Sequence, residues 1–320
     1  MRLLGLDALR AICAVAVLGF HYFYLGPMDG SVPWPAYLPE VWQYGYLGVP
    51  VFFMISGFVI CWSAAGGTRP RFLVGRVTRL LPTFWLCLAL ACAALWIAGR
   101  PAPPEQVAAN LVIAAPFLGQ EYLDPVYWSL VVEVLFYAAV WCMMGAAFHR
   151  RLSIFAGIWL ALAAVNLVVR LPGQAILNPL WAPFFCVGIY AFLGKPRLSA
   201  LAAVLGGAAA WLHATGFDAR ATDPLAAGAI AAALGLAFPY LTRMPIPAGL
   251  QRAAMIGGAA SYPLYLLHLE FGVALGLPLV PMTVTVIAVS IAVGVAEAPI
   301  RQRLRRISVR RRPWASAAAD

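Results

Sequence analysis

The chain has 320 residues, of which 63% are hydrophobic and only 11% are charged, and its mean hydropathy is +0.85. A soluble domain carries about 25% charged residues, so this composition excludes an ordinary globular protein and indicates a surface that mostly faces lipid. The formal net charge of +10 would favour nucleic acid as a partner of a soluble protein. In a membrane protein it indicates cytoplasmic loops and anionic membrane lipids as partners, and we expect no nucleic-acid partner.

Apolar runs of about 20 residues recur along the sequence, and each can cross a bilayer as a helix. The runs are continuously apolar rather than alternating, which favours helices over a β-barrel. We predict an all-α, polytopic membrane bundle of about ten transmembrane helices in residues 1–300, followed by a basic cytoplasmic tail in 301–320. The predicted spans are 7–26, 43–65, 77–98, 127–147, 152–170, 176–193, 198–215, 223–241, 254–276 and 280–299.

Two further segments need interpretation. The first span resembles a signal peptide, but the charged residues within its run and its unclear cleavage site favour a retained helix. Residues 106–119 are apolar but too short to cross, so they could enter the membrane and return. The six cysteines all lie in apolar runs and form no CxxC pair, so we expect core residues and no metal site.

The distribution of basic residues predicts the orientation of the bundle. With ten spans and a cytoplasmic N-terminus, 19 of the 22 basic residues fall on the cytoplasmic side. The three others are Arg100, Arg170 and Arg220. This asymmetry follows the positive-inside rule, so we expect both termini to be cytoplasmic.

The first span contains Arg10 and His21, which are eleven residues apart. This spacing places them on one helix face, about 16 Å apart along the axis. Charged and titratable groups within a membrane usually face the bundle interior and indicate a functional path. His21 could make a hydrogen bond between helices, or it could act as a general base, because histidine titrates near neutral pH.

The fourth span begins with YWSLVVEVLFY, in which Ser129, Glu133 and Tyr137 share one helix face. Glu133 lies more than one turn inside the apolar run, at a depth similar to that of His21. We therefore predict a pair in which Glu133 orients the imidazole and stabilises its protonated form. The alternative is a pair that only fixes helix packing.

Two arginines lie where the third span begins, in the sequence RVTRLLP. Cations are unfavourable at the N-terminus of a helix, so Arg76 and Arg79 suggest an anionic ligand there. Arginine binds phosphate in a bidentate manner, which fits a phosphate-bearing donor that arrives from the cytoplasm.

The ninth span contains SYPLYLLHLE, in which Ser261, Tyr265 and His268 share one face. These residues could contact a substrate, or they could stabilise helix packing. The separation of an arginine cluster from a proton-transfer pair is typical of an enzyme that moves a group across the membrane. A proton-coupled transporter or a flippase of a lipid-linked saccharide would use the same His and Glu. No internal repeat, which is common in transporters, is visible.

Five stretches, in order, resemble elements of the bacterial acyltransferase-3 family of membrane O-acyltransferases. Two departures from the family pattern are Ala11, where glycine is common, and Pro50, where an acidic residue is common. The five matching stretches are LDALRAICAVAVLGFHY, GVPVFFMISGFVI, RVTRLLP, YWSLVVEVLFY and SYPLYLLH with the later EAPIR.

The resemblance implies a function for these residues. It implies transfer of an acyl group, most often acetyl, from acyl-CoA to a hydroxyl of a cell-surface or lipid-linked glycan, without a metal, in the bacterial inner membrane. It implies that His21 is the base, that Glu133 is its partner, and that Arg10, Arg76 and Arg79 bind the donor. An acyl-enzyme through Ser56 or Ser129 is an open alternative to direct transfer. The predicted substrate-binding residues are Trp128, Ser129, Tyr137, Ser261, Tyr265 and His268.

Overall fold

The computed structural model describes residues 3–32, 40–216 and 223–310, without the side chains of Asp29 and of residues 298–310. The described part of the chain is 81% helical and contains no strand. The predicted all-α class is therefore confirmed. Of the predicted basic tail, the helical backbone reaches Arg310, and residues 311–320 lie outside the described part.

Fourteen α-helices make up the described fold, joined by four short 3-10 or π segments. The helices are α1 (Leu4–Phe20), α2 (Gly26–Asp29), α3 (Gly48–Ala65), α4 (Arg69–Ile97), α5 (Pro104–Leu111), α6 (Trp128–Met143), α7 (Phe148–Asn166), α8 (Gln174–Leu177), α9 (Ala182–Phe192), α10 (Pro196–Gly216), α11 (Pro224–Leu241), α12 (Ala248–Leu267), α13 (Glu270–Ala274) and α14 (Leu279–Arg310).

Within the described residues, nine helical segments are long and apolar enough to span a membrane. They correspond to nine of the ten predicted spans, which makes the chain a multi-pass membrane protein. The remaining prediction, residues 254–276, falls on α12 and α13. Helix α12 has 20 residues and packs against α1, α4 and α14, so it is part of the bundle although it is less apolar.

Small residues allow the central helices to approach closely. A Cβ atom added to Gly258 of α12 would lie 2.6 Å from the Cβ of Asp7 in α1. A Cβ added to Gly188 of α9 would lie 2.0 Å from the carbonyl oxygen of Met54 in α3. Membrane helices associate through such contacts, because the lipid provides no hydrophobic drive between them. The two glycines therefore fix the α1–α12 and α3–α9 pairs around the centre of the bundle.

The segment that follows α4 turns back along that helix. The indole of Trp85 donates to the carbonyl of Leu111 at 2.9 Å, and Trp85 precedes the end of α4 at Ile97 by twelve residues. Twelve residues correspond to about 18 Å of helix, so the segment returns that far along α4. Asn110, which is buried, bonds to backbone groups of Gln106, Glu121 and Leu123. These bonds satisfy non-helical backbone, as is required wherever a chain enters a membrane and returns.

Helix α1 ends in a π-helical turn that runs from His21 to Leu25. A π turn carries an extra residue relative to an α turn, and such turns occur frequently at functional sites. The turn begins at the histidine that the sequence selects as a base.

Candidate active site

A cavity with about 930 Å³ of empty space, part of it open to solvent, lies between α1, α3, α4, α6 and α12. Its wall contains both apolar side chains and ten polar ones. The polar residues that line it are Arg10, Ser56, Arg76, Arg79, Ser129, Glu133, Tyr137, Ser261, Tyr262 and Tyr265.

Three guanidinium groups lie in this wall against one carboxylate, which makes the cavity suited to an anion. Arg10 pairs with Asp7 of the preceding turn at 3.5 Å, and it interacts electrostatically with Arg79 and Glu133. The guanidinium of Arg76 lies 5.9 Å from the ring centroid of Tyr137. Arg76 also donates to the hydroxyl of Ser63 at 3.4 Å. We call the part of the cavity at Arg76 and Arg79 its arginine end.

Glu133 joins α3 to α6 across the cavity. Its Oε1 accepts a hydrogen bond from the hydroxyl of Ser56 at 2.8 Å and another from the hydroxyl of Tyr137 at 2.5 Å. Tyr137 follows Glu133 by one turn, so the predicted shared face of Ser129, Glu133 and Tyr137 is the face that lines the cavity. The carboxylate partly balances the arginines and fixes two hydroxyl groups in the wall.

The other end of the cavity lies at Ser129 and Tyr265, and we call it the histidine end. The hydroxyls of Ser129 and Tyr265 are 2.7 Å apart, and Tyr265 also donates to the carbonyl of Val126 at 3.1 Å. The ring of His268 lies next to that of Tyr265, with their centroids 5.8 Å apart. Ser129 precedes Tyr137 by eight residues, so the two ends are separated by about 12 Å along α6.

His21 lies beside His268 rather than beside Glu133. Its Nδ1 is 3.1 Å from Nε2 of His268 and 2.9 Å from the carbonyl oxygen of Val17. The predicted contact between His21 and Glu133 is not among the hydrogen bonds of the described residues, where Glu133 bonds to Ser56 and Tyr137. Similar depth in the membrane does not make two residues neighbours, because the helix faces that carry them also have to meet.

The structure brings most of the predicted site residues to one cavity. Arg10, Arg76, Arg79 and Glu133 line it, as do four of the six predicted substrate-binding residues: Ser129, Tyr137, Ser261 and Tyr265. Neither His21 nor His268 is part of the lining.

Trp128 also lies outside the lining, in an aromatic cluster. The centroid of its indole lies 4.9 Å from the Trp181 ring and 5.9 Å from the Phe53 ring. It therefore packs α6 against α3 and the start of α9. A tryptophan at the start of an apolar span gives no signal in the sequence that would distinguish packing from substrate contact.

Two residues that contribute to the site, Asp7 and Tyr262, were not assigned from the sequence, and a third, Ser56, was considered only as an alternative nucleophile. Asp7 pairs with Arg10, Tyr262 lines the cavity, and Ser56 holds Glu133. Asp7 could have been found, because an acidic residue three positions before an arginine in an apolar helix is a natural ion pair. Ser56 and Tyr262 are one hydroxyl among several on their helices, so only the packing of α3 and α12 selects them.

Comparison with known proteins identifies the family. A family profile described as an acyltransferase domain matches residues 3–296, nearly the whole chain. The exopolysaccharide production protein ExoZ of Rhizobium meliloti is 29% identical over 298 residues, which cover 83% of this chain and 92% of the relative. No solved structure shows a significant match. The chain thus belongs to the acyltransferase-3 family, and it is a membrane acyltransferase.

Proposed function

We propose that this protein transfers an acyl group, with acetyl as the first candidate, from cytoplasmic acyl-CoA to a hydroxyl of a cell-surface or lipid-linked glycan. The observation that carries the proposal is a cavity lined by three arginines, with the His21–His268 pair next to Tyr265 and outside the lining. Family membership supports acyl transfer, and the printed name of the relative from Rhizobium meliloti supports a polysaccharide acceptor.

The donor binds at the arginine end. Acyl-CoA carries phosphates at one end and a thioester at the other, and guanidinium groups bind phosphate through paired hydrogen bonds. Arg76 and Arg79 take the phosphates, and Arg10, further along the wall, holds the donor in the cavity. We infer from the positive-inside distribution of the basic loops that the arginine end faces the cytoplasmic side of the inner membrane, where acyl-CoA is available, and that the loops and tail contact anionic lipids.

The chemistry occurs at the histidine end. His21 accepts the proton of the acceptor hydroxyl through its ring, and the oxygen attacks the thioester carbonyl. The C–O bond forms, the C–S bond breaks, and the proton passes from the imidazolium to the CoA thiolate. We propose direct transfer, without an acyl-enzyme. Ser56 and Glu133 then have a structural role: their hydrogen bond joins α3 to α6 in the cavity wall. No step requires a metal.

Purified protein in nanodiscs, given labelled acetyl-CoA and glycan from the producing cells, tests the proposal. We expect labelled glycan from the wild type and an apparent KM for acetyl-CoA raised about tenfold in Arg79→Gln, which corresponds to about 1.4 kcal/mol. Arg71→Gln is the matched control, because Arg71 is exposed in the first turn of α4. In proteoliposomes, glycan that moves across the bilayer without acyl gain would instead indicate a flippase.

A further inference from the structure

The contact between His21 and His268 has a geometry that fixes the hydrogens of both rings. Nδ1 of His268 lies 2.9 Å from the carbonyl oxygen of Tyr265 and 3.2 Å from that of Leu264. A carbonyl oxygen only accepts, so this nitrogen carries the proton. In the neutral ring Nε2 then has a lone pair, and it faces Nδ1 of His21 at 3.1 Å.

The same reasoning extends to His21. Its Nδ1 has two acceptors within reach, the lone pair of His268 and the carbonyl oxygen of Val17 at 2.9 Å. A nitrogen between two acceptors is the donor, so neutral His21 is protonated at Nδ1. Its basic lone pair is then on Nε2. The hydrogen bond made by one ring nitrogen sets which nitrogen remains basic, as in other histidine sites.

Hydrogen bonds hold His268 in one position, and its burial favours the neutral ring. Only 1% of its surface is exposed, and it caps the C-terminus of α12 by bonding back to the last turn. Its own backbone carbonyl accepts a hydrogen bond from the hydroxyl of Tyr22, which follows His21 in the π turn. The two histidines are therefore tied together both through their rings and through the backbone.

We propose that His268 is the positioning residue of His21: it fixes the tautomer and ring orientation of the base and accepts a hydrogen bond from the imidazolium that forms during transfer. This inference rests on the proposed function, in which His21 accepts a proton. In that step the proton of the acceptor hydroxyl goes to Nε2 of His21. The proton on Nδ1 stays and points at His268, which itself gains no proton.

This role replaces the predicted contact of His268 with substrate. A substrate-binding histidine would present a ring nitrogen to the cavity, whereas both nitrogens of His268 face protein atoms and His268 is not among the residues that line the cavity. It also replaces the predicted role of Glu133 as the partner of the base. A neutral acceptor stabilises an imidazolium less than a carboxylate does, but burying it costs less.

The kinetic test compares His268→Gln with His268→Leu. The amide oxygen of glutamine can accept from His21, and leucine cannot. We expect kcat to fall about 10- to 100-fold in the leucine variant, with the KM for acetyl-CoA unchanged. This is the range found when the partner that orients a metal-binding histidine is removed. The acid limb of the kcat/KM profile should move to lower pH, because the imidazolium loses its acceptor. The glutamine variant should keep most of the wild-type kcat and most of the wild-type pH profile.

A spectroscopic test does not depend on turnover. The protein has only four histidines, so nitrogen chemical shifts of labelled protein can be resolved with His149→Gln and His213→Gln as assignment variants. We expect wild-type His21 to carry its proton on Nδ1 at high pH, and His268→Gln to keep that tautomer. A proton on Nε2 of His21, or equal pH profiles for all three proteins, would overturn the inference. Absence of transferase activity alongside the expected tautomer would instead count against the proposed function.

Discussion

At the scale of single residues, the role of Glu133 follows from the groups that surround its carboxylate. Glu133 is held by two hydroxyls and lies in a wall with three arginines. The charge on this residue is therefore part of the electrostatic balance of the donor cavity. That role differs from the orientation of a base, and it predicts a different phenotype.

Replacement of Glu133 by glutamine should test this difference. Glutamine keeps an oxygen that can accept from Ser56 and Tyr137 but removes the negative charge. We expect acetyl-CoA to bind as tightly or more tightly, because net positive charge in the cavity rises, and kcat to fall less than tenfold. Measured kcat and KM in nanodiscs decide the matter. A loss of about 10⁴-fold, of the size seen when the residue that orients a catalytic base is altered, would restore Glu133 as the partner of the base.

At the scale of elements, the pairing of α1 with α12 places the two histidines together. Gly258 allows that approach, because a side chain there would overlap Asp7, the ion-pair partner of Arg10. The contact thus supports both the arginine cluster and the histidine pair. A change in this one glycine should affect both ends of the cavity.

Gly258→Ala should therefore destabilise the bundle. The added methyl would lie 2.6 Å from the Cβ of Asp7, and overpacking of this kind costs about 1–3 kcal/mol. We expect a lower unfolding temperature in detergent and reduced turnover. Gly249→Ala is the matched control in the same helix, where an added Cβ meets nothing within 4 Å. Equal unfolding temperatures in the two variants would argue against a close α1–α12 contact.

The start of α6 is fixed to α13 by a buried carboxyl group. Asp124 accepts from the backbone amide of Val126 at 3.0 Å and from that of Glu270 at 2.9 Å. Burial raises the pKa of Asp124 from 3.8 to about 7, although these two hydrogen bonds act in the opposite direction. The folded protein therefore prefers the protonated carboxyl more strongly than the unfolded chain does.

This shift predicts a pH dependence of stability. The contribution of the protonated Asp124 carboxyl to the stability of the folded protein is complete below pH 3.8 and is lost as the pH rises to about 7. We expect the unfolding temperature of the wild type to fall between pH 5 and pH 8. In Asp124→Asn it should be lower at pH 5 and should change less, since the amide does not titrate. A variant with the same slope as the wild type would contradict this assignment.

At the scale of the whole molecule, the sequence predicts the fold more fully than the site. Apolar runs give nine of the spans directly, because helix length and hydropathy are local properties. The three arginines for which the family resemblance implies donor binding, Arg10, Arg76 and Arg79, do line one cavity. The sequence does not show which face of one helix packs against another, because that depends on contacts such as that of Gly258 with Asp7. The sequence therefore matched His21 with Glu133 by depth, whereas the ring of His21 meets that of His268.

The measurement that most directly tests the central claim is acyl transfer by His21→Ala in nanodiscs, with His149→Ala as the control. His149 is exposed in the first turn of α7 and does not line the cavity. With acetyl-CoA and glycan present, we predict that mass analysis finds acylated glycan from the wild type and the control, and that the His21 variant binds acetyl-CoA but makes almost none. Undiminished acylated glycan from a correctly inserted His21→Ala protein would contradict the account.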